Sequence, residues 1–175
     1  MTAIDTVFLN GSVGVGKSTV AEAIAGLEEA AYTPHAVIDL DFIRQCWPAP
    51  AGDPFNLGLE LANLSAIAAN YRAAGTKHLI LAGVLERPED VARYVEATAT
   101  DGLMVVRLTL SAAAAEERLR RRHADDPDGL AWHLARYGEL SAVLETAALD
   151  DVVVDTADLS PLDVARQVRR AAGWS

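Results

Sequence analysis

The sequence is short of several things at once, and each shortage excludes a class of protein. It has one cysteine, Cys46, so no internal disulfide can form, and a reducing compartment suits it. No apolar run approaches the ~20 residues that span a bilayer. The start MTAIDTVFLNGS lacks the basic end and apolar stretch of a signal peptide. Together these predict a cytoplasmic protein with no membrane partner. Cations are scarce too. Fifteen Lys and Arg stand against 25 Asp and Glu, a net charge of −10, whereas a nucleic-acid backbone needs a broad basic face. No nucleic-acid partner is therefore expected. His35, His78, His123 and His133 share no metal-ligand spacing with a cysteine pair. They read as structural or solvated, and Cys46, with no basic neighbour in sequence, reads as buried filler.

What remains is ample for one domain: 175 residues, 51% of them hydrophobic, with no internal repeat. The whole chain, 1–175, reads as a single unit. Apolar runs at Thr6–Asn10, His35–Asp39, His78–Ala82, Leu103–Leu110 and Asp151–Asp155 have the length and continuity of strands buried on both faces. Helix-period stretches lie between them. Val20, Ile24 and Leu27 share one face, as do Leu57, Leu61, Leu64 and Tyr71, and Leu130, Leu134, Tyr137 and Leu144. Ser160-Pro161-x-Asp163 joins an N-cap, a first-turn proline and a capping acid ahead of the last helix. Such alternation predicts an α/β fold, a parallel sheet with helices on both faces. Residues 48–54 and 124–129 read as loops, the second a hinge for a mobile cover.

Gly11-Ser12-Val13-Gly14-Val15-Gly16-Lys17-Ser18 matches G-x-x-x-x-G-K-[ST] between the first strand and the first helix. Glycines let successive N–H groups wrap a phosphate, and the helix beginning near Gly16 adds the positive end of its dipole. Lys17 is placed to reach the β- and γ-phosphates of ATP, Ser18 to ligate Mg²⁺, and Thr19 to complete the nucleotide-binding set. At about 7% average glycine usage, the four fixed positions match by chance in fewer than one in ~10,000 windows.

The second strand ends in Asp39-Leu-Asp41-Phe-Ile-Arg44. If the chain stays extended, both carboxylates lie on the same side. One can then support Mg²⁺ (Asp39) and the other take a proton from an attacking hydroxyl (Asp41), with Arg44 turned toward an anionic substrate group. Alternatively, Asp39 caps a helix while Asp41 and Arg44 form a surface pair.

These residues resemble known small-molecule kinases. The phosphate loop with Val37-Ile-Asp39-Leu-Asp41-Phe-Ile-Arg44 is similar to adenylylsulfate kinases, and the stretch from Asp41 to Trp47-Pro48 resembles chloramphenicol phosphotransferases. Both resemblances put the critical acid at Asp41. Val153-Val-Asp-Thr156 through Pro161 is similar to the last strand and loop of gluconate and shikimate kinases, which implies that Thr156 lies near the nucleotide base. The resemblance implies a P-loop three-layer sandwich with five parallel strands in the order 2-3-1-4-5. Two departures stand out. Adenylate kinases end the third strand in an acid, where this chain has Ala82, so metal support falls to Asp39, Asp41 or Glu86. The serine-proline-arginine segment of adenylylsulfate kinases is replaced by Val84-Leu-Glu-Arg-Pro88, which argues against adenylylsulfate as the acceptor.

Of the cations only Lys17 and Lys77 are lysines, and four of the arginines crowd into residues 118–122. Arg118, Arg121 and Arg122 stand at i, i+3 and i+4 and are expected on one face, clamping phosphates from an arginine-bearing lid over roughly 118–137, with Arg136 on its return arm. The plainer alternative is a solvated helix end paired with Glu116 and Glu117. Trp47 is expected to wall the acceptor site.

The resulting expectation is an ATP·Mg²⁺-dependent phosphotransferase acting on a hydroxyl of a small molecule. A nucleoside or nucleotide kinase, and a P-loop nucleotide-binding regulator, remain as alternatives. A switch GTPase would need N-K-x-D, which the sequence lacks.

Overall fold

The computed structural model describes residues 3–174. Five strands form one parallel sheet: β1 (Thr6–Asn10), β2 (His35–Asp39), β3 (His78–Ala82), β4 (Leu103–Thr109) and β5 (Val152–Asp155). Their order is β2-β3-β1-β4-β5, as expected from the resemblance.

Period-2 alternation explains how the sheet buries both faces. Val7 and Leu9 of β1, Ile80 of β3, and Met104, Val106 and Leu108 of β4 point to one side. There they meet Val20, Ala21 and Ile24 of α1 (Lys17–Ala30) and Val164, Ala165 and Val168 of α7 (Pro161–Ala172). Phe8, Leu81 and Val105 point the other way, against Leu40 of α2 (Leu40–Ile43), Leu61 and Leu64 of α3 (Leu57–Ala73), and Tyr94 of α4 (Pro88–Thr98). A one-residue slip in any central strand would exchange the two sets, so the register is strongly specified. The edge strand β5 departs from the expected two-sided burial: Val153 is half exposed, because only one neighbour and one layer of helix cover it.

Helix signals set the remaining boundaries. Ser160 Oγ accepts the Asp163 N–H at 3.2 Å, and Ser111 caps α5 (Ala112–Arg122) through the Ala114 N–H. The segment 124–129, expected to be a loop throughout, turns helical at Pro127. Asp126 Oδ1 accepts the Gly129 N–H at 2.9 Å, and the proline's fixed φ opens α6 (Pro127–Ala147). Tyr71, in the last turn of α3, is partly exposed and does not join the cluster that holds Leu61 and Leu64.

One buried charge ties this frame together. Glu28 of α1, with no exposed surface, faces His78 Nδ1 at 2.8 Å and Arg169 Nε of α7 at 2.5 Å. His78 stacks on Trp174 with ring centroids 4.0 Å apart, and the indole N–H donates to the Ile4 carbonyl. Removing one partner of a buried pair leaves the other desolvated and unpaired. Glu28→Ala should therefore cost about 3–5 kcal/mol in urea unfolding; a loss below about 1 kcal/mol would mean that Glu28 contributes no more than a surface pair.

Candidate active site

All five strands end on the same side of the sheet, and a cleft of about 1490 Å³ opens there. Pockets for a single drug-sized ligand typically measure ~300–1,000 Å³, so this cleft is larger than one such ligand needs. Its floor is residues 13–20, continuous from the loop into α1.

The loop's shape follows from its glycines. Gly11 has φ 147°, and a Cβ there would lie 2.7 Å from the Leu108 carbonyl oxygen. Gly16 has φ 101° and serves as the N-cap of α1, offering no side chain to the first helical N–H groups. Those donors are consequently left for an anion, helped by the helix dipole. Lys17 Nζ donates to the carbonyls of Gly11 (2.8 Å) and Ser12 (3.1 Å), folded back over the loop. Burial holds its pKa below the usual lysine value; Asp41 and Asp39 oppose that depression and Arg122 adds to it. Asn10, which sequence reasoning did not single out, anchors the loop from below. Its Oδ1 accepts the N–H of Gly11 (2.9 Å) and of Leu85 (3.1 Å), and its Nδ2 donates to the Leu85 carbonyl (3.0 Å). A buried asparagine ending a strand just before the first glycine was the available signal.

The carboxylate pair is not held in extended chain, as one expectation had it. The backbone turns helical at Leu40, and Asp39 Oδ1 accepts the Asp41 N–H at 3.1 Å as the N-cap of α2. The capping alternative is therefore correct for Asp39, yet the cap does not remove it from the cleft. Ser18 Oγ donates to Asp39 Oδ2 at 2.7 Å, and Asp39 and Asp41 both line the cavity. Arg44 NH1 lies 4.0 Å from Asp41 Oδ1, while its Nε sits 2.9 Å from Glu60 Oε2. Glu60 is buried, and the Tyr94 hydroxyl donates to it at 2.5 Å. This Arg44–Glu60–Tyr94 chain could not be read from sequence, since its members come from three separate elements.

The arginine cluster divides. Arg118 and Arg122 line the cleft, with Arg118 donating to the carbonyls of Val15 (3.3 Å) and Thr156 (3.0 Å). Arg121 does not join them. It lies 3.5 Å from Glu117 Oε1 on the exposed side, and Arg120 pairs with Glu116. Residues 118 and 122 are almost in line along a helix, whereas 121 is rotated about 100° from 122. The surface-pair alternative therefore describes Arg120 and Arg121 only. Thr156 is buried at the cleft wall, its hydroxyl donating to the Thr109 carbonyl at 3.0 Å. Arg136 reaches the cleft with NH2 2.8 Å from Glu86 Oε1. Trp47 lies outside it, in an adjoining shallow hollow, and Cys46 beside it is exposed rather than buried filler.

No protein-family model and no curated protein matches the chain in sequence. Solved structures do. A gluconokinase from Sinorhizobium meliloti superposes with a TM-score of 0.64 at 20% identity, covering 99% of this chain and 94% of its own. An APS kinase from Mycobacterium tuberculosis, solved with AMPPNP and APS, gives 0.61 at 21% identity with 100% of both chains covered. The fold is that of the P-loop small-molecule kinases. A tunicamycin resistance protein from Deinococcus radiodurans is a further neighbour, with a TM-score of 0.66 at 20% identity over 98% of this chain and 97% of that one. The P-loop kinase fold thus extends over the whole described chain. No helix among the described residues is long and apolar enough to cross a membrane.

Burial pushes the Glu60 pKa above its ordinary value of 4.5, against the pull of Tyr94 and Arg44. A raised carboxyl favours the folded state below the unfolded value, and that contribution is lost as pH rises through the folded one. Glu60→Gln cannot ionise, so its stability should gain on the wild type as pH rises upward from 4.5. Urea midpoints measured at each pH check this, and a difference independent of pH would contradict it.

Proposed function

We propose that this protein is an ATP-dependent phosphotransferase that moves the γ-phosphate of ATP·Mg²⁺ to a hydroxyl of a small molecule. The observation that carries the proposal is the convergence of Lys17, Ser18, Asp39, Asp41, Arg118 and Arg122 on one cleft above an uncapped helix start. The single cysteine agrees with a reducing, cytoplasmic setting.

In this reading the N–H groups of residues 13–18 wrap the phosphates, and Thr19 and Thr156 stand at the edges of the nucleotide site. Lys17 leaves its two carbonyls for the β,γ-phosphate oxygens, which restores a full charge partner to a buried ammonium. The Ser18 hydroxyl and the Asp39 carboxylate, 2.7 Å apart, are hard oxygen donors of the kind Mg²⁺ takes alongside phosphates and water. When bound there, the cation would neutralise charge on the phosphates. Glu86 is committed to Arg136 and Ala82 has no carboxylate, so Asp39 is the carboxylate assigned.

Asp41 accepts the acceptor's hydroxyl proton. The acceptor oxygen forms its bond to the γ-phosphorus in line with the breaking bond to the β,γ-bridging oxygen, and ADP departs with that electron pair. Arg118 and Arg122 face the charge that spreads over the transferring group. Closure of the 118–137 segment over the phosphates belongs to the same proposal; Arg121, on the outer side, has no part in it.

Three substitutions test the assignment in an assay of ADP release with product detection. Lys17→Ala should abolish transfer with the fold intact. Asp41→Asn should keep ATP·Mg²⁺ binding and slow transfer by roughly 10²–10⁴-fold, because asparagine keeps the reach of aspartate but takes no proton. Asp39→Asn should raise the Mg²⁺ requirement and be partly rescued by excess Mg²⁺. Loss of nucleotide binding in Asp41→Asn, or unchanged transfer, would remove Asp41 as the base. ATP hydrolysis indifferent to every acceptor would favour the regulator.

A further inference from the structure

The cleft's cations fall into two sets that are treated differently by the protein. Around the phosphate loop none of them forms an ion pair among the described residues, and Asp41 and Asp39 act on Lys17 only from beyond contact. Lys17 rests on two carbonyls, Arg118 on two more, and Arg122 has no ion-pair partner among the described residues. On the other half, beside Asp41, every arginine already faces carboxylates. Arg44 Nε lies 2.9 Å from Glu60 Oε2 and its NH1 4.0 Å from Asp41 Oδ1. Arg136 lies 2.8 Å from Glu86 Oε1 and 3.8 Å from Glu139 Oε2. Glu60 cannot step aside, because it is buried under the Tyr94 hydroxyl. Two cations thus stand against four acids, and an anionic acceptor would gain little attraction while meeting Asp41 and Glu86.

The same half is apolar at its rim. Phe42, Phe55 and Trp132 line the cleft yet are 73%, 78% and 61% exposed. The cleft continues past Arg44, Gln45 and Phe55 into a hollow of about 630 Å³, where Trp47 is 93% exposed. Large aromatic side chains left in water around one opening mark a surface that gains by being covered.

We propose that the phosphate acceptor is an uncharged alcohol bearing an aromatic or apolar part, its hydroxyl on Asp41 and its apolar part against Phe42, Phe55 and Trp132. The inference rests on the phosphotransferase reading and narrows it. The acceptor's O–P bond forms as the γ-phosphorus parts from the bridging oxygen of ADP, and the hydroxyl proton passes to Asp41.

The test uses the purified full chain with ATP·Mg²⁺ and a library of hydroxylated aryl compounds. Each is paired with a counterpart bearing one carboxylate or phosphate, such as phenyl β-glucoside with phenyl β-glucuronide. Phosphorus NMR identifies any new phosphomonoester. The uncharged members should be preferred in kcat/KM by about tenfold or more. Preference for the anionic counterparts would overturn this inference while leaving the phosphotransferase standing. Intact ATP·Mg²⁺ binding with transfer to no compound of either class would overturn this inference, and ATP hydrolysis indifferent to every acceptor would overturn the phosphotransferase reading as well. Glu86→Gln, which takes an acid from Arg136, should narrow the uncharged-to-anionic preference by about tenfold; an unchanged ratio in a variant of wild-type melting temperature would show that the arginine pairing does not set acceptor charge.

Discussion

The structure turns on the passage of the backbone from β1 to α1 in the space of one short loop. At Gly11 there is no room for a Cβ beneath the Leu108 carbonyl, and at Gly16 the helix begins without a capping side chain. Asn10 fixes the start of that turn to Leu85 across the sheet, and Arg118 ties Val15 to Thr156 at the far end. A loop held at both ends by polar contacts keeps its N–H groups oriented before any ligand arrives, and preorganised dipoles stabilise charge without having to reorient. The sheet order then carries the ends of β2, β3 and β5 to that loop, bringing with them Asp39, Ala82 and Thr156.

Electrostatics completes the site in a protein whose overall charge works against it. A net charge of −10 repels anions at long range, but salt screens that repulsion beyond ~10 Å. Inside the cleft the balance is local. Lys17, Arg118 and Arg122 gather where the loop is, and acids neutralise the arginines elsewhere. Arrangement rather than composition decides which molecules the cleft can hold, which is how, under the proposed function, an acidic protein takes a triphosphate without a basic surface.

Much of this was legible in the sequence because it depends on local rules. Strand runs, the N-cap at Ser160 and the G-x-x-x-x-G-K-S turn each follow from a few adjacent residues, and each stands where it was expected. The contacts that escaped the sequence reading are long-range or depend on a rotation of a fraction of a helical turn. Arg121 differs from Arg122 by one position and faces the opposite partner. Asp39 turned out to be both cap and Ser18 partner because the strand ends at Asp39 and the chain is already helical at Leu40, so Asp41 does not stay extended. Glu60, Tyr94 and Arg44 meet from α3, α4 and the loop after α2, and no spacing rule links them. Burial was also misjudged at Cys46, whose apolar character predicts a core that the loop over 44–56 does not provide, and Trp47 on the same loop stands outside the cleft it was expected to wall.

The central claim is that the backbone of the loop, not a basic surface, receives a triphosphate. It is tested most directly by amide NMR of the ¹⁵N-labelled chain titrated with AMPPNP and Mg²⁺. The amides of residues 13–18 should shift most, with the Lys17 side chain changing environment as it leaves the Gly11 and Ser12 carbonyls. Saturable binding that leaves those amides unmoved, or shifts concentrated on another face of the protein, would contradict the account.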